Sequence, residues 1–330
     1  MTSRIRHAYG FGAACAALIA GCDLDDNLTV NDEDPAATLF RSGGTSSSCP
    51  IWQCGFNAAE VHGASIHELN LDGLANAAGL QLLAVVPNTK ATDGGYGALD
   101  VVDDQLVLRN AKGQLLAGPD LIGTEMVIGK NGVKLASVMI AAHDTVDRWA
   151  TGVKEAHAFA LTYVVDGVTE RNVCTGDNTV ARAAVALVLG GETYDMATKT
   201  VNPDRRRWFS IACAGSAAAK LSLLGYGPQT STSTPAQRQA TLKMITADYC
   251  GTGHSYTVNG TPILWENAEG TVALAADPEA LESVWTSAGA LCLEAPRIAG
   301  TEIDCELPSC ADFDLADGEW ISYVPQPAAT

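Results

Sequence analysis

Cys213, His254 and Asp248 are the residue types of a thiol hydrolase, and a Cys-His-Asp arrangement can be drawn from them. Cys213 falls where an apolar run, residues 207–212, meets a helical pattern. A thiolate there would be stabilised by the backbone N–H groups of a helix start. A nucleophilic thiol must be free, however, and this chain has ten cysteines. Cys15 lies in the N-terminal leader described below, and Cys22 is the expected lipid site that follows it. The remainder is an even set: Cys49, Cys54, Cys174, Cys213, Cys250, Cys292, Cys305 and Cys310. In an exported chain such a set argues for disulfides, so Cys213 is expected to be half of one. Cys49/Cys54 and Cys305/Cys310 are C-x4-C pairs enclosing a proline, and each is expected to close locally. Cys174, Cys213, Cys250 and Cys292 then keep all three pairings that four cysteines allow. The rival is a four-thiolate zinc site formed by the two C-x4-C pairs; outside the cytosol, disulfides are favoured.

The densest polar-aromatic cluster is Asp248, Tyr249, His254 and Tyr256. It is a candidate ligand-pocket wall. Its structural alternative is that Asp248 hydrogen-bonds turn amides while Tyr249 packs in the core. His62 and His67 flank a turn, and His143-Asp144 ends a strand; none has the spacing of a zinc site. Arg205-Arg206-Arg207 is the only basic run. It could meet phosphate or an acidic glycan, but a solvated turn before a strand is the favoured reading. Gly190-Gly191 and Gly251-Thr252-Gly253 read as turns, with no lysine at Walker spacing. HExxH, GxSxG and GxGxxG are all missing, so no cofactor and no metal is assigned.

The first residues supply an address. Arg4 and Arg6 precede a short apolar run that is too brief to cross a bilayer and ends in Leu18-Ile19-Ala20-Gly21-Cys22. This order resembles the bacterial lipobox, in which the cysteine is acylated and becomes the mature N-terminus. Residues 1–21 are therefore expected to be a lipoprotein signal peptide and Cys22 the lipidation site. The formal net charge of −18 disfavours nucleic acid and anionic lipid headgroups as partners, so an N-terminal lipid anchor would have to hold the chain at a membrane. No later segment is long enough to span one; the best, residues 183–189, is strand-sized. The outer membrane or cell surface is expected in preference to the inner membrane.

These residues must be positioned by elements whose pattern is mostly β. Residues 22–57 read as an acidic, Gly/Ser-rich tether. Residues 58–172 carry strand-length apolar runs at 82–86, 105–108, 133–140 and 158–165, punctuated by Asp93-Gly94-Gly95, Lys112-Gly113, Asn131-Gly132 and Asp166-Gly167. A β sandwich or small barrel is expected. From residue 173 to 297 the pattern is α+β. Strands are expected at 182–189 and 207–212, with a helix through Ala214, Ala218, Leu221 and Leu224 that Gly225 ends. Thr234-Pro235-Ala236-Gln237 reads as a capping box opening a helix that carries Leu242, Ile245 and Tyr249. Asn259-Gly260 is expected to join two strands in a tight hairpin, and Asp277-Pro278 to start a last helix bearing Leu281 and Val284. Residues 298–330 look like a loop-rich tail. The predicted class is α+β and β-rich: an N-terminal sandwich or barrel, then a disulfide-stabilised α+β domain.

Ala247-Asp248-Tyr249-Cys250-Gly251-Thr252-Gly253-His254, followed by Asn259-Gly260-Thr261-Pro262-Ile263, resembles the ADYC domain of bacterial envelope proteins, frequent in myxobacteria. Phe209-Ser210-Ile211-Ala212-Cys213-Ala214-Gly215, Leu224-Gly225-Tyr226-Gly227-Pro228 and Trp285-Thr286-Ser287-Ala288-Gly289-Ala290-Leu291-Cys292 extend the likeness over roughly residues 174–297. The resemblance implies cysteines at two positions where this chain has Leu221 and Thr241. Losing both together is what losing one helix–helix disulfide would look like, which supports a structural role for the family's cysteines. The resemblance implies an envelope location and no reaction. The expected function is thus a lipid-anchored cell-envelope protein, a binding or structural module with an envelope protein or glycan as partner. The alternative is an envelope-polymer hydrolase using Cys213 or the Asp248/His254 cluster.

Overall fold

A run as apolar as residues 184–189 makes sense only in a strand covered on both faces, and that is its setting. The computed structural model describes residues 57–175 and 184–326. The expected signal peptide, the tether as far as residue 56, and Cys22, Cys49 and Cys54 lie outside them. The main sheet has eight antiparallel strands. Seven lie side by side in the order Glu68–Asn70, Trp208–Cys213, Ala186–Gly190, Ala156–Val165, Val133–Val146, Glu125–Lys130, Leu80–Val86, and Thr169–Asn172 pairs with Ala156–Val165. The protein is β-rich with several sheets, and the main sheet is not a closed barrel.

Successive side chains of a strand point to opposite faces, so the alternation sorts this sheet's residues into two cores. Ala158 and Leu187, opposite one another, enter the first core; the next pair, Phe159 and Ala186, enters the second. The second core is roofed by a three-stranded sheet, Tyr96–Val102, Gln105–Asn110 and Leu115–Ala117, which contributes Leu99, Val101, Leu106 and Leu108. The first is filled by the helices Ala217–Leu221 and Pro235–Thr246 and by the indoles of Trp265, Trp285 and Trp320. Those indoles come from a four-stranded sheet ordered Leu264–Asn267, Trp320–Pro325, Pro278–Thr286, Gly289–Leu293. Large fully buried side chains such as these stabilise by roughly 1.5–3 kcal/mol each.

Local signals set the helix ends. Thr234 accepts from the Gln237 N–H and the Gln237 side chain accepts from the Thr234 N–H, with Pro235 at the first turn. Thr234→Ala is expected to lower stability by about 1 kcal/mol in urea unfolding, and Thr234→Ser to restore most of it. A Thr234→Ala protein as stable as wild type would show that the cap is idle. Gly225 sits at φ 89°, and a Cβ there would lie 2.8 Å from the Ala150 methyl, so glycine is required on both counts. Leu221 and Thr241 are both fully buried, on helices that pack against each other. Thr241 instead receives the Trp320 indole N–H at 2.8 Å.

Several expectations are corrected. Residues 278–286 form a strand, not a helix, because Glu282 and Ser283 are buried and satisfied there. Asn259-Gly260 is a turn without flanking strands. The tail is not merely loop: Trp320–Pro325 lies inside the four-stranded sheet. The main sheet draws strands from both sides of the division expected at residues 172–173. Cys305 and Cys310 do not pair locally. Among the described residues the disulfides are Cys174–Cys213, Cys250–Cys305 and Cys292–Cys310, which also removes the four-thiolate zinc reading.

Candidate functional site

The long helix ends at Ala247, which adopts the left-handed conformation (φ 50°, ψ 43°) and turns the chain back over the helix end. Each following residue has a defined task. The Asp248 carboxylate is fully buried and accepts from Lys243 Nζ at 2.6 Å and from the Gly253 N–H at 2.8 Å. Its Oδ1 is buried with no partner. Tyr249 stacks on Trp285 (5.2 Å between centroids) and donates its hydroxyl proton to Glu282 Oε1 at 2.6 Å. Burial and the Glu282 charge push that phenol far above its ordinary pKa. Cys250 is bonded to Cys305.

Arg297 completes this hub. Its guanidinium pairs with Glu282 and donates to the carbonyls of Met244 and Ile245 at 2.8 and 3.1 Å. It therefore satisfies acceptors in the last turn of the long helix while neutralising a buried carboxylate. His254 and Tyr256 sit apart from Asp248. Their rings stack 4.3 Å apart, and both side chains hydrogen-bond Asp304, whose carboxyl they hold below the usual range. The His254 side chain is 59% exposed. The Tyr256 ring, buried and 5.5 Å from that of Tyr249, joins the buried part of the expected cluster to the exposed His254, beside the Cys250–Cys305 link. Cys213 is bonded to Cys174, and Asp248 is committed to Lys243. No Cys-His-Asp triad forms. Among the described residues no group of three or more His, Cys, Asp or Glu could hold a metal ion, and no helix is long and apolar enough to cross a membrane.

A cavity of about 620 Å³ lies elsewhere, at the Glu68–Asn70 edge of the main sheet. One wall is His67 and Glu68. The hairpin of Thr193–Asp195 and Thr200–Asn202 lines the cavity too, as does Arg205. The long helix fixes that hairpin in place. Arg238 and Glu192 form a buried ion pair at 2.7 Å. The Gln239 side chain accepts from the Val201 N–H and donates to the Lys199 carbonyl. Glu68 touches the hairpin directly, accepting the Tyr194 N–H at 2.8 Å. Burial raises the Glu68 pKa, opposed by that hydrogen bond and by the charge of Arg205. Burial lowers that of His67, so the ring is neutral at pH 7. With its hydrogen on Nδ1 the ring donates to the Ile211 carbonyl at 3.4 Å, and Nε2 is buried with no partner in the protein.

Sequence reading picked out His67 and Arg205 singly and missed Glu68, Tyr194 and Asp195. Nothing local joins them; the return of the chain onto the Glu68–Asn70 edge does. His62 stacks edge-on against Tyr163, and His143 hydrogen-bonds His157 at 3.0 Å, with burial lowering the His143 pKa to about 4. Arg207 forms a salt bridge with Asp72.

Fold and site together describe a disulfide-bonded, β-rich protein with a buried helix–turn hub. The ADYC domain model matches residues 118–299, more than half of the chain, and the protein belongs to that family. The match begins well before the residue-173 start that the sequence motifs suggested. No curated protein and no solved structure matches the chain significantly.

Proposed function

We propose that this is an exported, lipid-anchored envelope protein, held at the outer membrane or cell surface, whose body is a binding module for an envelope component. The observation that carries the binding part is the cavity at His67 and Glu68. Its 620 Å³ falls within the roughly 300–1,000 Å³ of small-molecule sites. Three disulfides fit an oxidising compartment outside the cytosol. The anchor rests on Ile19-Ala20-Gly21-Cys22. The hydrolase alternative gains no support, because Cys213 is bonded and Asp248 is paired.

Ala77 lines the cavity from an exposed position, so a larger side chain there narrows the cavity without disturbing a core. A low-molecular-mass envelope extract is expected to raise the melting temperature of the wild type and leave that of Ala77→Trp unchanged. Equal shifts in both proteins would place the seat elsewhere. The mass of the mature N-terminal peptide reads the anchor: an acylated Cys22 is expected, and an unmodified peptide would overturn that part.

A further inference from the structure

We infer that the cavity takes a small organic cation, an amine carried on a short apolar body; this rests on the cavity being the binding seat. The argument is a charge count in a confined space. Two carboxylates line it, Glu68 and Asp195, against a single cation, Arg205. Asp195 is held ionised by the N–H groups of Thr198 and Ala197, which depress its pKa. His67 brings no positive charge, because burial keeps it neutral; its Nε2 is buried without a partner in the protein. Arg205 and Asp195 are both exposed, whereas Glu68 is half-buried. The lining therefore carries an excess of negative charge, and a ligand that matches it brings N–H donors and positive charge. Ala77 and Met196 supply the apolar surface for its body. The −18 charge of the whole chain favours the approach of a cation and opposes that of an anion. Amines from a free metabolite or from an amino-bearing envelope polymer share this chemistry.

Three probes of equal length separate the terms: 1,6-diaminohexane, 1,6-hexanediol and adipate, titrated calorimetrically at physiological ionic strength into the full mature chain. The diamine is expected to bind best. Glu68→Gln keeps an oxygen for the Tyr194 N–H and should weaken the diamine about tenfold, the scale of one lost charge-assisted contact. Arg205→Gln should leave diamine binding equal or tighter. Ala77→Trp should abolish it, which separates the cavity from diffuse attraction to an acidic surface. Diol binding as strong as diamine binding, lost in Ala77→Trp, would overturn the cation and keep the cavity. Adipate binding that Arg205→Gln removes would overturn it in favour of an anion. Diamine binding that Ala77→Trp leaves intact would overturn it as surface attraction. If none of the probes binds, the cation is overturned; the extract shift abolished by Ala77→Trp then decides whether the cavity is still a seat. An amine-bearing oligosaccharide bound more tightly than the free diamine identifies the polymer as the source, and the reverse order the metabolite.

Discussion

Arg297→Met is expected to destabilise the protein by about 3–5 kcal/mol, the loss typical of removing one member of a buried ion pair. The Glu282 and Arg297 side chains are 0% and 2% exposed, so the Glu282 carboxylate would be left in the core with Tyr249 as its remaining partner. Two carbonyls at the end of the long helix would lose their donors as well. A loss of that size is a large share of the roughly 5–15 kcal/mol that holds a typical domain together. Urea unfolding followed by tryptophan fluorescence reads it directly, since Trp285 and Trp320 pack in the same core. Arg297→Met combined with Glu282→Leu should recover part of the loss, because no buried charge then remains unpaired. A single variant within about 1 kcal/mol of wild type would show that Glu282 finds water or another donor, and that the hub is not structural.

Cys213→Ala should lower stability by about 2–5 kcal/mol and expose Cys174 to alkylation. The bond joins the strand Trp208–Cys213 to Cys174 across a sequence separation of 39, so it restricts the unfolded chain substantially. In the folded, unreduced wild type, iodoacetamide should label none of Cys174, Cys213, Cys250, Cys292, Cys305 or Cys310. A catalytic thiol predicts the opposite: selective labelling of Cys213 and a Cys213→Ala variant that melts normally. That result would reinstate the hydrolase.

The sequence was most readable where one signal decided the outcome. The runs at 133–140 and 158–165 became paired strands, and Thr234 with Gln237 placed a helix start to the residue. It misled where tertiary partners change what a polar residue means. Glu282 and Ser283 broke the strand alternation and lent residues 278–286 a helical look. Both are buried because Arg297 and the Cys292 carbonyl receive them, and neither partner is visible locally. The cysteine pairing failed for the same reason. C-x4-C proximity pointed to Cys305 with Cys310, whereas the fold carries them to Cys250 and Cys292. Asp248 and Tyr249 were conspicuous as chemistry and are occupied in architecture. The cavity residues Glu68 and Asp195 were inconspicuous, since each alone is an ordinary carboxylate.

The edge position of Glu68–Asn70 has a consequence for how this molecule comes into being. It is the first strand of the main sheet to be synthesised, yet it pairs with Trp208–Cys213; His67 and Ile211, which touch, are 144 positions apart. Its hydrogen-bonding partner does not exist until nearly two thirds of the polypeptide has been made. The long loop must be closed before that contact returns any free energy, which makes its formation a late event on the folding route. Until then a short strand edge stands open to pairing with other chains, a hazard the protein shares with other late-closing sheets. The cavity wall made by His67 and Glu68 is therefore among the last surfaces to be completed.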